Sequence, residues 1–333
     1  MSQSSFLERR RAMAHLGAAA LCWVPALPAW SQAYPAKALT IVVPFAAGGS
    51  IDVVARQIAS RLSARLGQSV VADNVAGAFG TIGTEKVARA APDGRTLLFV
   101  VSSPLNVAPI LNPSAVRYDA FKDFLPIATV GRLPVMVVGR TGLPADSMAA
   151  LIQLARARPG ALNFGTDGTG SLLHITGELI KQRAGVDIVH VPYKAAPQVL
   201  TDIAGGQLDL GILPVALAQP LVREGRVRAY AVTSPGRLPG LPQVPALAEL
   251  PGFDGVSLTS WMGLLAPAGV PAQVATLLTD AMKAAASDPA LVAQLVERAI
   301  EPDVVVGGDF AALLRSERQQ IAGVVARTGL KPE

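Results

Sequence analysis

From Leu39 onward the apolar positions switch repeatedly between a strand-like run and a helical period. Leu39 to Phe45 is a β-branched run with no polar face, as expected of a strand buried on both sides. Ala46-Ala47-Gly48-Gly49-Ser50 interrupts it. Ile51, Val54, Ala55, Ile58, Leu62 and Leu66 then recur at helical spacing, with Arg56 and Arg65 off that face. Gly67 ends the helix and Val70 to Ala72 begins a second strand. Thr84 to Ala91 reads as a helix closed by the turn Pro92-Asp93-Gly94, and Leu97 to Val101 as a third strand. This β-α-β-α-β order predicts a parallel sheet with helices on both faces.

The same grammar restarts downstream. Val135 to Val138 predicts a strand, Met148 to Ala157 a helix and Ala161 to Phe164 a strand. The loop Gly165 to Gly170 follows, then a helix from Ser171. Ile188 to Val191, Leu208 to Ile212 and Ala229 to Val232 continue the series. The pattern predicts an α/β protein of two lobes, each a mainly parallel sheet flanked by helices. Chain crossings are expected near Arg132–Pro134 and Ser257–Trp261. Residues 34–133 and 260–333 then form one lobe and 134–259 the other. The tail from Pro271 to Thr328 reads as helical, with breaks at Pro289 and Gly307-Gly308.

The first 33 residues have a different character. Arg9-Arg10-Arg11 precedes an apolar stretch, Ala12 to Ala29, that Pro25 and Pro28 make a poor membrane span. Ser31-Gln32-Ala33 has the small–any–small form that signal peptidase cuts after. The expectation is an exported, periplasmic protein whose signal is removed after Ala33, through the Sec route, with the arginines also permitting twin-arginine export. Cys22 follows Leu21, where a lipoprotein signal wants a small residue. Processing leaves 300 residues, lowers the formal net charge from +5 to +3 and removes the single cysteine. Without cysteines the mature chain has neither a disulfide nor a Cys/His metal site, and it must be held by its core. With 16% charged and 51% hydrophobic residues the full chain is not a nucleic-acid coat.

In both lobes a strand runs into a glycine-rich loop and then a helix start. The first-turn amides of a helix lack intrahelical acceptors and carry the positive end of its dipole, so such a loop suits a carboxylate, phosphate or sulfate. In open α/β sheets these loops border the ligand crevice. Neither is a nucleotide motif, since no Gly-Lys-Ser/Thr is present and Gly77, Gly80 and Gly83 are spaced three apart. The mature chain has no Gly-x-Ser-x-Gly elbow and no carboxylate pair suited to acid–base work. His174 falls in the first turn after Ser171, where it either caps backbone or faces the cleft. His190, in an apolar strand, reads as structural.

The segments PFAAGGSIDVVARQIASRLSARLGQSVVADN (Pro44 to Asn74), GTIGTEKVARAAPDGRTLL (Gly80 to Leu98) and YDAFKDFLPIA (Tyr118 to Ala128) resemble the Bug receptors. These are the extracytoplasmic solute-binding proteins of tripartite tricarboxylate transporters. NFGTDGTGSLLHITGEL (Asn163 to Leu179), VPYK (Val191 to Lys194), GGQLDL (Gly205 to Leu210) and SWMGLLAPAGVP (Ser260 to Pro271) follow in the family's order. The resemblance implies a two-lobed periplasmic binding protein fold, type II-like, that closes on a small carboxylated solute. It puts the first ligand loop on Ala46, Ala47, Gly48, Gly49 and Ser50, with Asp52 at the helix start. The second falls on Thr166, Asp167, Gly168, Thr169, Gly170 and Ser171, with His174. Phe79, Thr81 and Tyr193 complete the candidate set. Where relatives usually have Asn-Arg-Pro-Gly-Ala-Gly-Gly, this chain has Asn74-Val75-Ala76-Gly77-Ala78-Phe79-Gly80, and Asp167 replaces a usual serine.

The resulting expectation is a monomeric receptor, not an enzyme, for a small organic acid or amino acid. It needs no cofactor, metal or nucleic acid. Its partner is the permease of a tripartite transporter or, in the alternative reading, a membrane sensor. An exported hydrolase or lyase using Asp167 with His174 or His190 is the third reading and requires those side chains to converge.

Overall fold

Five residues, Leu39–Val43, form β1, an inner strand next to one edge of a six-stranded sheet. The computed structural model describes residues 34–256 and 258–328, so the expected signal segment, residues 1–33, lies outside them. The chain divides into Met1–Ala36 and Lys37–Glu333, and the architecture below is that of the second part.

After β1 come α1 (Ser50–Leu66), β2 (Val70–Asn74), α2 (Thr81–Ala88) and β3 (Thr96–Val101). Two short helices, α3 (Ser102–Asn106) and α4 (Ala108–Leu111), lead to β4 (Phe124–Leu133). A single residue, Pro134, separates β4 from β5 (Val135–Arg140), the first strand of a second sheet. That sheet is completed through α5 (Met148–Ala157), β6 (Asn163–Thr166), α6 (Leu172–Ala184), β7 (Val189–Pro192), α7 (Ala196–Ala204), β8 (Leu210–Pro214), α8 (Val215–Arg223) and β9 (Val227–Val232). The chain returns in β10 (Ser260–Pro267) and ends with α9 (Ala272–Ala286), α10 (Pro289–Glu297), β11 (Glu301–Pro302) and α11 (Gly307–Thr328). Strand orders are β11-β4-β10-β3-β1-β2 and β7-β6-β8-β5-β9.

Both sheets are mixed, not mainly parallel as the element order suggests. β1 pairs parallel with β2 and β3, but β10 runs antiparallel to β3 and β4, and β11 to β4. In the second sheet β6 is parallel to β7 and β8, whereas β5 is antiparallel to β8 and β9. The physical reason lies in the crossings. β5 and β10 enter their sheets from the other lobe, and so run against strands that finish at that edge. It follows that β1 to β4 and β6 to β9 all direct their carboxyl ends toward the crossings. The loops after these strands therefore gather where the two lobes meet.

Buried apolar stripes hold each layer. α1 buries Val54, Ala55, Ile58, Ala59 and Leu62, and each large side chain removed from water contributes about 1.5–3 kcal/mol. α11 spans both cores. Its Phe310 and Leu314 pack with Val42, Leu98, Val100 and Trp261, while Ile321, Val324 and Val325 pack with second-lobe residues such as Ile175 and Leu258. Among the described residues no helix is long and apolar enough to cross a membrane.

Candidate functional site

The first loop, Ala46 to Ser50, follows β1 and is exposed throughout. Gly49 is the N-cap of α1 and offers no side-chain cap, so the first-turn amides are left without an intrahelical acceptor. Asp52, expected among the ligand contacts, is instead 2% exposed and committed to the protein. Its Oδ2 accepts the Gly48 amide at 2.8 Å and Arg56 Nε at 3.0 Å, and its Oδ1 accepts Asn74 Nδ2 at 2.9 Å. Asn74 Nδ2 also reaches the Phe45 carbonyl at 3.1 Å. Burial opposes ionisation of Asp52, yet the hydrogen bonds from Arg56, Gly48 and Asn74 outweigh it and hold the carboxyl below its ordinary range. Asp52 thus fixes the loop from behind. Sequence reasoning missed Asn74 as part of this device; a polar residue closing the strand next to β1 was the available signal.

The second loop is built the same way. Ser171 caps α6, its Oγ accepting the His174 amide at 3.1 Å. The Gly170 amide donates to His174 Nδ1 at 3.0 Å, which leaves the ring proton on Nε2, 3.8 Å from Glu178 Oε1. Gly170 has φ 76°, a left-handed backbone that favours glycine, and a Cβ there would also push against the tip of Leu111 at 2.9 Å. His174 stacks on His190 with ring centroids 3.7 Å apart and planes 11° apart. His190 Nε2 lies 2.8 Å from Thr166 Oγ1, whose own proton goes to the Gly168 carbonyl at 3.2 Å. Burial lowers the His174 pKa, and burial together with the neighbouring His174 and Lys181 pushes His190 down to about 4. Both rings are therefore neutral supports of the loop backbone at neutral pH.

The predicted set divides accordingly. Ala46, Ala47, Gly48, Gly49, Ser50, Phe79, Asp167 and Thr169 are exposed. Asp52, Thr166 and His174 are buried behind the loops, and the Ser171 hydroxyl is used as a cap. Thr81 is buried, with its hydroxyl on the Ala78 carbonyl at 2.9 Å. Tyr193 turns its hydroxyl to Asp202 Oδ2 at 2.7 Å; burial and that carboxylate push its pKa up to about 12. His174 and His190 meet each other, but neither reaches out with Asp167 in a catalytic grouping. Among the described residues no cluster of three or more His, Cys, Asp or Glu could hold a metal ion.

At the crossings lies a separate buried group. Glu317 of α11 accepts Trp261 Nε1 at 2.9 Å and also Asn106 Nδ2. Trp261 is 1% exposed and meets Phe310 edge-on at 4.8 Å. A small polar cavity lined by Arg132, Thr259, Trp261 and Glu317 adjoins it. Burial raises the Glu317 pKa against the pull of these hydrogen bonds.

A family model described as "Tripartite tricarboxylate transporter family receptor" matches residues 54–330. Protein BugT of Bordetella pertussis is 37% identical over 309 residues, covering 92% of this chain and 94% of that one. A solved structure from R. palustris with adipate is 34% identical, with a TM-score of 0.70, and covers 90% of this chain and 100% of its own. MatC from Rhodopseudomonas palustris with bound malate is 30% identical, with a TM-score of 0.67, and covers 88% and 100%.

Proposed function

Since the chain belongs to the tripartite tricarboxylate transporter receptor family, we propose that it captures a small carboxylate-bearing solute in the periplasm and delivers it to a membrane permease. The family is one of receptors, not of enzymes. This removes the hydrolase or lyase reading, and the burial of His174, with the part-buried His190 ring stacked on it, agrees.

One observation carries the proposal. Each lobe presents a loop at the crossing-facing end of its sheet, and in each the amide of a loop glycine is pinned by the side chain four residues on. The loops are thereby set before a ligand arrives, with the amides around Gly49 to Ile51 and Asp167 to Thr169 available to an anion. The solved relatives with adipate and malate support a carboxylate as that anion. The lobes, residues 34–133 with 260–333 and residues 134–259, close on it as a monomer, after removal of the signal at Ala33. A thermal-shift screen of the processed protein against mono-, di- and tricarboxylates tests the reading. Binding to the native state raises the melting temperature, so at least one small carboxylate must do so in proportion to its concentration. A flat response to all of them rejects it.

A further inference from the structure

Between β2 and α2 four consecutive residues have positive φ: Gly77 at 138°, Ala78 at 44°, Phe79 at 52° and Gly80 at 91°. Two of them carry side chains, in a region that L-residues avoid because Cβ crowds the backbone. Such strain persists only where the surroundings hold it in place. Here they do. A Cβ on Gly80 would lie 2.8 Å from Pro104 Cγ and 3.2 Å from the Phe45 ring, so this glycine seats the turn against the first lobe. The Gly80 amide donates to the Gly77 carbonyl at 2.9 Å, Thr81 Oγ1 to the Ala78 carbonyl at 2.9 Å and Thr84 Oγ1 to the Gly80 carbonyl at 2.8 Å.

What this strained knuckle displays is Phe79, 88% exposed, beside the half-exposed Ile82. A phenyl ring in water gives the folded chain nothing, and glycine would fit the backbone without strain. The position of the turn supplies a purpose. β1 and β2 are adjacent and parallel, with Val43 opposite Asn74, so the turn after β2 stands next to the loop Ala46 to Ser50 after β1. Both occupy the end of the sheet that faces the crossings.

We propose that Phe79 is a specificity-determining residue, an apolar cover for the hydrocarbon part of a carboxylate held at the first loop. The favoured class is a carboxylate with a methylene chain or ring, over short or heavily hydroxylated polycarboxylates. The proposal rests on the receptor reading above.

Phe79→Gly is the direct probe, because glycine suits φ 52° and the variant keeps its turn. Calorimetry with hexanoate, adipate, malonate and citrate is compared between the wild-type protein and Phe79→Gly, alongside melting temperatures without ligand. Phe79→Gly should melt at or above the wild-type temperature and bind hexanoate or adipate about tenfold or more weakly, as expected for lost apolar burial. Malonate and citrate should change by less than about twofold or stay undetected in both proteins. Phe79→Leu should retain part of the chain-length preference. Equal loss across the series, or none, overturns the proposal while leaving the receptor reading intact. A lower melting temperature with equal loss would mark Phe79 as structural. A wild-type protein that binds none of the four overturns the proposal.

Discussion

The Gly170 amide meets His174 Nδ1 at 3.0 Å, from a residue four positions on in the first turn of α6. Gly48 and Asp52 stand in the same relation at the start of α1, at 2.8 Å. One acceptor is a neutral imidazole and the other a carboxylate, yet both are buried and each fixes the loop that precedes its helix. The two lobes use one device twice: a loop glycine whose amide is pinned by a side chain four residues on.

Replacing His174 by Phe keeps a ring against His190 but leaves the Gly170 amide without its acceptor. A fully buried donor left unsatisfied costs about 1–3 kcal/mol; Gly170 is part-buried, so the cost falls at the low end, and the melting temperature should fall and carboxylate affinity with it. Chemical denaturation with calorimetry checks both. A variant as stable and as tight as wild type would contradict the pinning role.

Asp52→Ala strands more groups at once: the Gly48 amide, Arg56 and Asn74. Because Arg56 is half exposed, water recovers part of the loss. A destabilisation of about 1–3 kcal/mol is expected by denaturant titration. Asp52→Asn should be milder, since one acceptor oxygen survives.

Much of this was legible in the chain. β-branched runs gave the strands, glycine loops gave the helix starts, and the shift in pattern around Arg132–Pro134 marked the first crossing. β4 was not legible, because Pro126 and Gly131 look like breakers; the strand survives through antiparallel pairing with β10 and β11. The two-residue β11 was read as part of a helical tail for want of any local pattern. The roles of Asp52 and His174 depend on which way a first-turn side chain bends, which only the packed loop decides. Glu317 did leave a trace, as a carboxylate on the same helical stripe as Phe310, Leu314 and Ile321.

Stability should respond to mild acid through the stacked histidines. The unfolded chain takes up protons as pH falls through the ordinary value of 6.5, but folded His190 resists until about 4. The unfolded state binds more protons in that window, so the pair's contribution is complete above pH 6.5 and is lost progressively toward pH 4. Glu178 and Lys181 face the same pair and partly offset each other. Glu317 and Glu301, held above the ordinary 4.5 by burial, push stability the opposite way as pH falls. Melting curves of wild type and His190→Gln separate the contributions: the variant should show a shallower fall between pH 6.5 and 4. Parallel curves would contradict the assignment.

Trp261 is the sole tryptophan of residues 34–333, and its indole N–H sits on Glu317 beside both crossings. Closure of the lobes should alter its emission, as hinge motions repack neighbouring groups. Titration of a bound carboxylate followed by tryptophan fluorescence tests this. Unchanged emission at saturation would place closure elsewhere or exclude it.

The central claim is that backbone amides of the two loops hold a carboxylate. Gly49 has an ordinary φ of −70°, and a Cβ there meets only the Ala46 carbonyl at 3.5 Å, so the fold accepts Gly49→Val while its side chain obstructs the amides of the α1 start. Calorimetric titration of adipate and malate into the wild-type protein and Gly49→Val, with melting temperatures in parallel, decides the matter. If the amides hold the ligand, the wild type binds at least one acid one-to-one and Gly49→Val loses that binding at nearly unchanged melting temperature. Equal affinity in both proteins, or no binding by the wild type, would contradict it.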